Sequence, residues 1–281
     1  MNIYEYNGQI ISIQTFIDKL SAYINKGDTL SLEIDTMKFG KICRGLDKNS
    51  FLESIFEAFY RLVGDGGNIV VPTFSYSWGL DSPKKYFDVL NTPSKVGIFP
   101  EFLRKRTDVI RTLDPMFSFA IWGKDKKDLS KNPNRTSFGK DSLYEKIHKS
   151  NAKLISFGLK KYDPTFVHYV EQYFHENIDE LDYRFIKKFK GTIVNHEGNE
   201  YNDYQYCFSR YLDKFPDLDF DETKMVQTLT KQDKLTKIVI GNAEVCISDC
   251  ESVFNVGIEG LRRDRRYFMT NRGIKGCMDK I

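Results

Sequence analysis

Residues 51–71 read FLESIFEAFYRLVGDGGNIVV, and this stretch decides the fold. Phe51, Leu52, Ile55, Phe56, Phe59 and Leu62 recur at near-helical spacing, which predicts an amphipathic helix over Phe51–Val63. Gly64-Asp65-Gly66-Gly67 stops it. Asn68-Ile69-Val70-Val71 follows, a short and mostly apolar run of the kind buried on both faces of a sheet. The same order stands upstream. Ile11–Ile24 has helical periodicity, Gly27-Asp28 turns the chain, and Thr29–Ile34 reads as a strand in which Leu30, Leu32 and Ile34 alternate. Helix, glycine turn and buried strand, repeated, imply an α/β sandwich with a partly parallel sheet.

Downstream, Phe99–Lys105 reads as a helix with Pro100 near its start. Phe117–Trp122 is a β-rich run ended by Gly123, and Lys124–Thr136 is a polar loop or solvated helix. Lys153–Phe157 is a buried strand closed by Gly158. Thr165–Phe174 is a helix for which Asp163 is the expected N-cap, with Pro164 in its first turn. From Asp182 the pattern changes. Phe185–Val194, Asn199–Phe208 and Leu235–Ile247 predict antiparallel strands, and Val253–Leu261 a late helix. No repeat and no linker interrupts the chain. The expectation is one domain over 1–281 whose residues 182–281 form a β-rich C-terminal portion.

The chain has 281 residues, 41% of them hydrophobic, and 42 Lys+Arg against 39 Asp+Glu give a net charge of +3. That balance excludes an intrinsically disordered chain. It is too small to point to a nucleic-acid partner, which needs a clustered basic face. No apolar run is long enough to span a membrane. The N-terminus has neither a basic leader nor a cleavage signature, so a cytoplasmic location without a membrane partner is expected. Cys43, Cys207, Cys246, Cys250 and Cys277 match no zinc spacing and read as thiols of a reducing compartment.

The segment richest in chemistry is Asp163-Pro164-Thr165-Phe166-Val167-His168-Tyr169-Val170-Glu171-Gln172. It opens a helix directly after a sheet strand, where α/β folds place ligands. His168 and Glu171 are three apart and share a helix face. A carboxylate beside an imidazole fixes its tautomer and stabilises imidazolium, which makes a general base. The bland alternative is a structural or surface pair. His175, four after Glu171, offers a metal triad as a further alternative, but no other ligand-rich segment supports a metal. The turn after the first strand, Glu33–Gly40, has small polar residues whose backbone N–H groups suit a phosphate. Arg111 and Asp114 are spaced for a local ion pair, and either turn or pair can be merely structural.

Four motifs stand in order along the chain: Val71-Pro72-Thr73-Phe74, Thr92-Pro93-Ser94-Lys95-Val96-Gly97-Ile98-Phe99-Pro100-Glu101, Arg111-Thr112-Leu113-Asp114-Pro115-Met116-Phe117-Ser118 and Thr165-Phe166-Val167-His168-Tyr169-Val170-Glu171. In order and spacing they resemble the aminoglycoside 3-N-acetyltransferase family, over roughly residues 10–270. Tyr183-Arg184 and Gly241-Asn242-Ala243 also look like its C-terminal half. The resemblance implies an α/β/α sandwich with a mixed, partly parallel sheet. It implies an acetyl-CoA-dependent N-acetyltransferase of an amino sugar, without a metal. His168 is then the base and Glu171 its partner. Asp35, Thr36, Thr73, Ser118 and Phe119 are expected to line the coenzyme site, and Arg111, Asp114, Asp163 and Thr165 the substrate side.

The chain departs from the family pattern at two places. The family's His-Ser-Ser is Glu33-Ile34-Asp35, and the histidine of its Arg-Ser-x-His-Pro is Asp114. A changed substrate with unchanged proton transfer fits these departures. The leading expectation is therefore a nucleotide-linked amino sugar of surface polysaccharide biosynthesis, with Arg104, Arg106 and Arg111 meeting its phosphates. The alternatives are antibiotic 3-N-acetylation, which the acidic run Glu176, Asp179, Glu180 and Asp182 favours, and a non-catalytic nucleotide-binding relative. A homo-oligomer is compatible with the sequence. Replacing Glu171 by Gln is expected to hurt less than replacing His168 by Asn, if Glu171 only orients the ring.

Overall fold

The computed structural model of the chain describes residues 1–79 and 81–271. Strands β1 (Asn2–Tyr6) and β2 (Gln9–Ser12) form a hairpin leading into helix α1 (Ile13–Leu20). Then come β3 (Thr29–Ile34), β4 (Lys41–Ile42), α2 (Lys48–Val63) and β5 (Asn68–Pro72). The middle holds β6 (Tyr86–Asp88), α3 (Ile98–Leu103), β7 (Ile110–Arg111), β8 (Phe119–Gly123), α4 (Lys126–Leu129), α5 (Leu143–Lys149), β9 (Lys153–Phe157) and α6 (Val167–Asn177). The last third holds β10 (Arg184–Val194), β11 (Glu200–Arg210), β12 (Leu218–Phe220), α7 (Thr223–Lys231), β13 (Thr236–Ile240), β14 (Ala243–Asp249), α8 (Cys250–Arg263) and β15 (Met269–Asn271).

Seven strands make the central sheet, in the order β13-β14-β9-β3-β5-β8-β7. β3 runs parallel to β5 and β9, while β14 and β8 are antiparallel to their neighbours, so the sheet is mixed. Leu30, Leu32 and Ile34 of β3 enter the core under α1, α2 and α3, with Phe16, Phe59 and Phe99. Val70 and Leu154 face the other layer, with Ile147 of α5, Val170 of α6 and Val253 of α8. The architecture is the expected α/β/α sandwich. Phe157 stands at the end of β9 within 4.4 Å of the Phe39 ring and 5.2 Å of Phe16. Buried side chains of this size contribute about 1.5–3 kcal/mol each, so this cluster fixes the end of the sheet that carries the site.

Several boundaries differ from the sequence reading. The helix expected over Ile11–Ile24 begins at Ile13, because Gln9–Ser12 pair with β1 and the Ser12 hydroxyl accepts from Thr15 N to cap α1. α2 gains a turn from the Asp47 cap, whose carboxylate accepts from Ser50 N. α5 was not read from the sequence; Ser142 caps it. The span 235–247 is a hairpin, β13 and β14, broken at Gly241-Asn242, and both strands complete the central sheet. β10 and β11 instead form a separate three-stranded sheet with β6. The C-terminal portion carries α8 where a late helix was expected, and also α7, which was not read from the sequence. Cys277 lies outside the described residues; Cys43, Cys207, Cys246 and Cys250 are free thiols.

Candidate active site

Two central strands, β3 and β9, end side by side at the base of the site. Asp35 N donates to Phe157 O at 2.9 Å. Gly158 then turns the chain with φ +74°, and a Cβ there would lie 2.5 Å from Asp35 O. Only glycine meets both demands. The loop that follows delivers the first turn of α6 over the face of β3 opposite Leu32 and Ile34. Because the strand alternates, Ser31 and Glu33 point to that face.

Asp163 is not the N-cap of α6. The helix starts after Phe166 without a side-chain cap of its own. The Glu33 carboxylate accepts from Thr165 N at 2.8 Å, so an acid from the central sheet satisfies a donor at the helix start. Glu33 also lines a cavity of about 250 Å³ together with Leu32, Ile34, Phe74, Tyr76, Asp163 and Thr165. Burial, opposed by the hydrogen bond from Thr165, pushes its carboxyl up to about 7. Tyr144 and Tyr162 are buried close by.

One turn along α6, His168 and Glu171 meet. His168 Nδ1 stands 2.8 Å from Glu171 Oε2. Arg184 Nη2 is also 3.0 Å from Nδ1, but a guanidinium only donates and its closest bond, 2.5 Å, goes to Glu171 Oε2. The proton therefore sits on Nδ1 and points at Glu171. Nε2 is left as the acceptor, on a ring one-quarter open to solvent and flanked by Phe138 and Phe220 at 5.4 and 5.8 Å. Glu171 is fully buried and takes two further bonds, from Tyr183 OH and Arg184 Nε, both 3.0 Å. Although burial opposes it, Arg184 and His168 keep Glu171 below the usual carboxylate range. Burial, aided by the Arg184 charge, lowers His168 from the ordinary imidazole value, so the ring is neutral at pH 7. A neutral imidazole with a fixed tautomer and an accessible Nε2 can take a proton.

Other expected site residues stand elsewhere. Thr73 and Ser118 are fully buried and bond each other across β5 and β8, with Ser118 Oγ donating to Thr73 O at 2.8 Å. Phe119 packs in the core against Phe74 and Tyr144. The cavity is lined by their neighbours Pro72 and Phe74 instead. Asp35 caps the 3-10 turn Thr36–Lys38, accepting from Met37 N, and Thr36 is buried; neither lines the cavity, which Ile34 reaches. Among the described residues Arg111 is a cross-brace and does not pair with Asp114. Its buried guanidinium donates to Thr73 O, Val89 O, Thr92 O and Ser118 Oγ. Asp114 accepts from Met116 N, Phe117 N, Ser137 Oγ and Gln205 Nε2, which makes it a buried turn cap. His175 Nδ1 accepts from Leu181 N, which gives that ring a structural partner.

Sequence reading missed Glu33 as a lining residue, although the alternation of β3 already sets it apart from Leu32 and Ile34. It noted Tyr183-Arg184 only as part of a resemblance; nothing in the local sequence couples them to a helix 12 residues earlier. A second basin, about 650 Å³, is lined by Lys48, Asn49, Lys95, Gly97, Lys105 and Arg106 among others. It shares the segment 94–101 with the smaller cavity. Glu101 pins that segment by accepting from Ser94 N and pairing with Arg104.

The profile of a family described as aminoglycoside 3-N-acetyltransferase matches residues 34–262. No curated protein matches the chain by sequence. Solved structures do match its fold. A sisomicin-bound structure of AAC-VIa is 18% identical, covers 90% of this chain and 98% of that one, and has a TM-score of 0.73. A structure of AAC-IIIb with CoASH is 16% identical over 90% and 97%, with a TM-score of 0.70. The YokD protein from Bacillus subtilis is 17% identical over 90% and 94%, with a TM-score of 0.71.

Proposed function

Since the chain belongs to the aminoglycoside 3-N-acetyltransferase family and is an N-acetyltransferase, we propose that it moves the acetyl group of acetyl-CoA to an amine of a cationic, aminoglycoside-like amino sugar. The observation that carries this reading is the His168–Glu171–Arg184 cluster with Nε2 free. Acetyl-CoA supplies an activated acyl group, so the chain needs no nucleophile of its own. His168 Nε2 takes the proton that the attacking amine must lose. Glu171 stabilises the resulting imidazolium, and Arg184 keeps Glu171 ionised in a buried site.

The lysines of the basin at residues 48 and 95 suit the phosphates of the coenzyme. The cavity beside it, mostly apolar, suits the thioester arm and leads toward Thr165, one turn from His168.

A nucleotide-linked substrate is the weaker reading. Its expected phosphate contacts were three arginines, and all three have protein partners: Arg104 with Glu101, Arg106 with Glu53 and Asp108, Arg111 with carbonyl oxygens. Two carboxyl groups, Glu33 and Asp163, line the cavity, and no basic side chain does. That lining offers nothing to hold a phosphate. Asp179 and Asp182 pair with Arg265 and Arg266, so the acidic run adds less than its sequence suggests. Thiol release from acetyl-CoA should be faster with sisomicin or gentamicin than with a nucleotide-linked amino sugar, and His168→Asn should slow it by about 10²–10⁴-fold. Preference for the nucleotide-linked sugar would reverse the substrate assignment, and unchanged turnover in His168→Asn would remove the base.

A further inference from the structure

We propose that Glu33 is the acid that protonates the departing coenzyme A sulfur, so that the site handles two protons on two residues: Glu33, bonded to Thr165 N, and His168, three residues along the chain from Thr165. The proposal rests on the acetyltransferase reading and on the coenzyme arm entering the cavity that Glu33 lines.

Glu33 stands on a central strand, on the face covered by α5 and α6, where a carboxyl is costly unless it is used or satisfied. Thr165 holds the carboxyl, its N donating at 2.8 Å and its side chain adding a second bond, while Glu33 itself lines the cavity. The groups around it are Tyr76 and Asp163 on the cavity wall, Tyr144 from α5 and Tyr162 from the loop before α6. No cation lines the cavity to hold the carboxyl ionised. Asp163 adds to the effect of burial, and Glu33 reaches about 7, where both forms are populated.

The step balances as follows. The amine nitrogen bonds the acetyl carbon and its proton goes to His168 Nε2. The carbon–sulfur bond breaks, its electron pair stays on sulfur, and the Glu33 proton goes to that sulfur. Glu33 leaves the step as a carboxylate held by Thr165 N and is reprotonated from solvent in the cavity, while His168 releases the amine's proton to solvent, so that the two exchanges cancel. His168 and Glu33 thus need opposite starting states, neutral base and protonated acid, and both are present near pH 7.

The test compares wild type with Glu33→Gln, which keeps an oxygen for Thr165 N. Calorimetric titration with coenzyme A near pH 7, in buffers of different ionisation enthalpy, reads protons on binding alone. The arm should desolvate Glu33 further and draw in a proton in wild type, and this uptake should vanish in the variant. Turnover of sisomicin with acetyl-CoA should fall about 10²-fold or more in the variant and lose its decline above pH 7. With S-acetyl 4-nitrothiophenol as donor, whose thiol leaves without help, the two proteins should differ little. Equal proton uptake in both, or the same loss with both donors, would overturn the role of Glu33. Failure of wild type to bind coenzyme A would remove the acetyltransferase reading itself.

Discussion

Glu171 does more than orient a ring. It accepts from His168, Tyr183 and Arg184 in a site closed to solvent, so replacing it strands a buried guanidinium. Breaking such a pair costs about 3–5 kcal/mol. The expectation that Glu171→Gln is the milder change is thereby reversed for stability: it should unfold at lower denaturant than His168→Asn, which chemical denaturation would read. His168 gives a second observable. Its value lies below the ordinary 6.5, so the base is neutral above that pH and is lost only on further acidification. The acid limb of kcat/KM should therefore fall below pH 6.5, and a limb centred above 7 would show that another group is the base. The partners of His168 were only half legible. The i,i+3 spacing exposes Glu171, whereas Arg184 comes from a strand whose approach no local pattern specifies.

At the scale of elements, the site depends on how three segments end. β3 and β9 finish together, and α6 begins above them. The α6 N-terminus borrows its capping carboxylate from β3, a contact 132 residues apart in sequence. A local reading looks for a cap beside the helix and finds Asp163, which is why that expectation failed. Gly158 makes the junction possible. In Gly158→Ala the new Cβ would press on Asp35 O from a left-handed backbone, which main-chain movement alone can relieve. Midpoint denaturation should shift by more than the roughly 1 kcal/mol typical of a simple Gly→Ala change, and KM for acetyl-CoA should rise with it. An unaltered KM with lowered stability would show that the junction is structural only. The same junction explains why Asp35 turns away from the cavity: its N–H closes β3 against β9 and its carboxylate caps the following 3-10 turn.

Across the whole molecule, the polar groups on the sheet's inner face set a trade between stability and function. Glu33 titrates near 7 in the folded chain and near 4.5 when unfolded. The folded state thus holds the extra proton between those values, and stability falls as pH rises from 4.5 to 7. Glu33→Gln escapes this. At pH 8 it should be more stable than wild type by on the order of 1–3 kcal/mol, with the advantage gone at pH 4, as thermal melts at the two pH values would read. A variant less stable at both would mean that the carboxylate is a net support. The sequence alone determined the sandwich, because the periods of residues 11–34 and 51–71 state helix, turn and buried strand locally. It determined the His168–Glu171 pair for the same reason, since one helix face holds both. Motif order along the chain determined the family. Only the tertiary structure decided which motif residues face a cavity and which brace the sheet. Thr73, Arg111, Asp114 and Ser118 look like site residues in sequence and are buried cross-links in space, while Glu33, Tyr183 and Arg184 join the site from distant strands. Side-chain direction at the end of a strand depends on what packs above it, and that is set by contacts far apart in the chain.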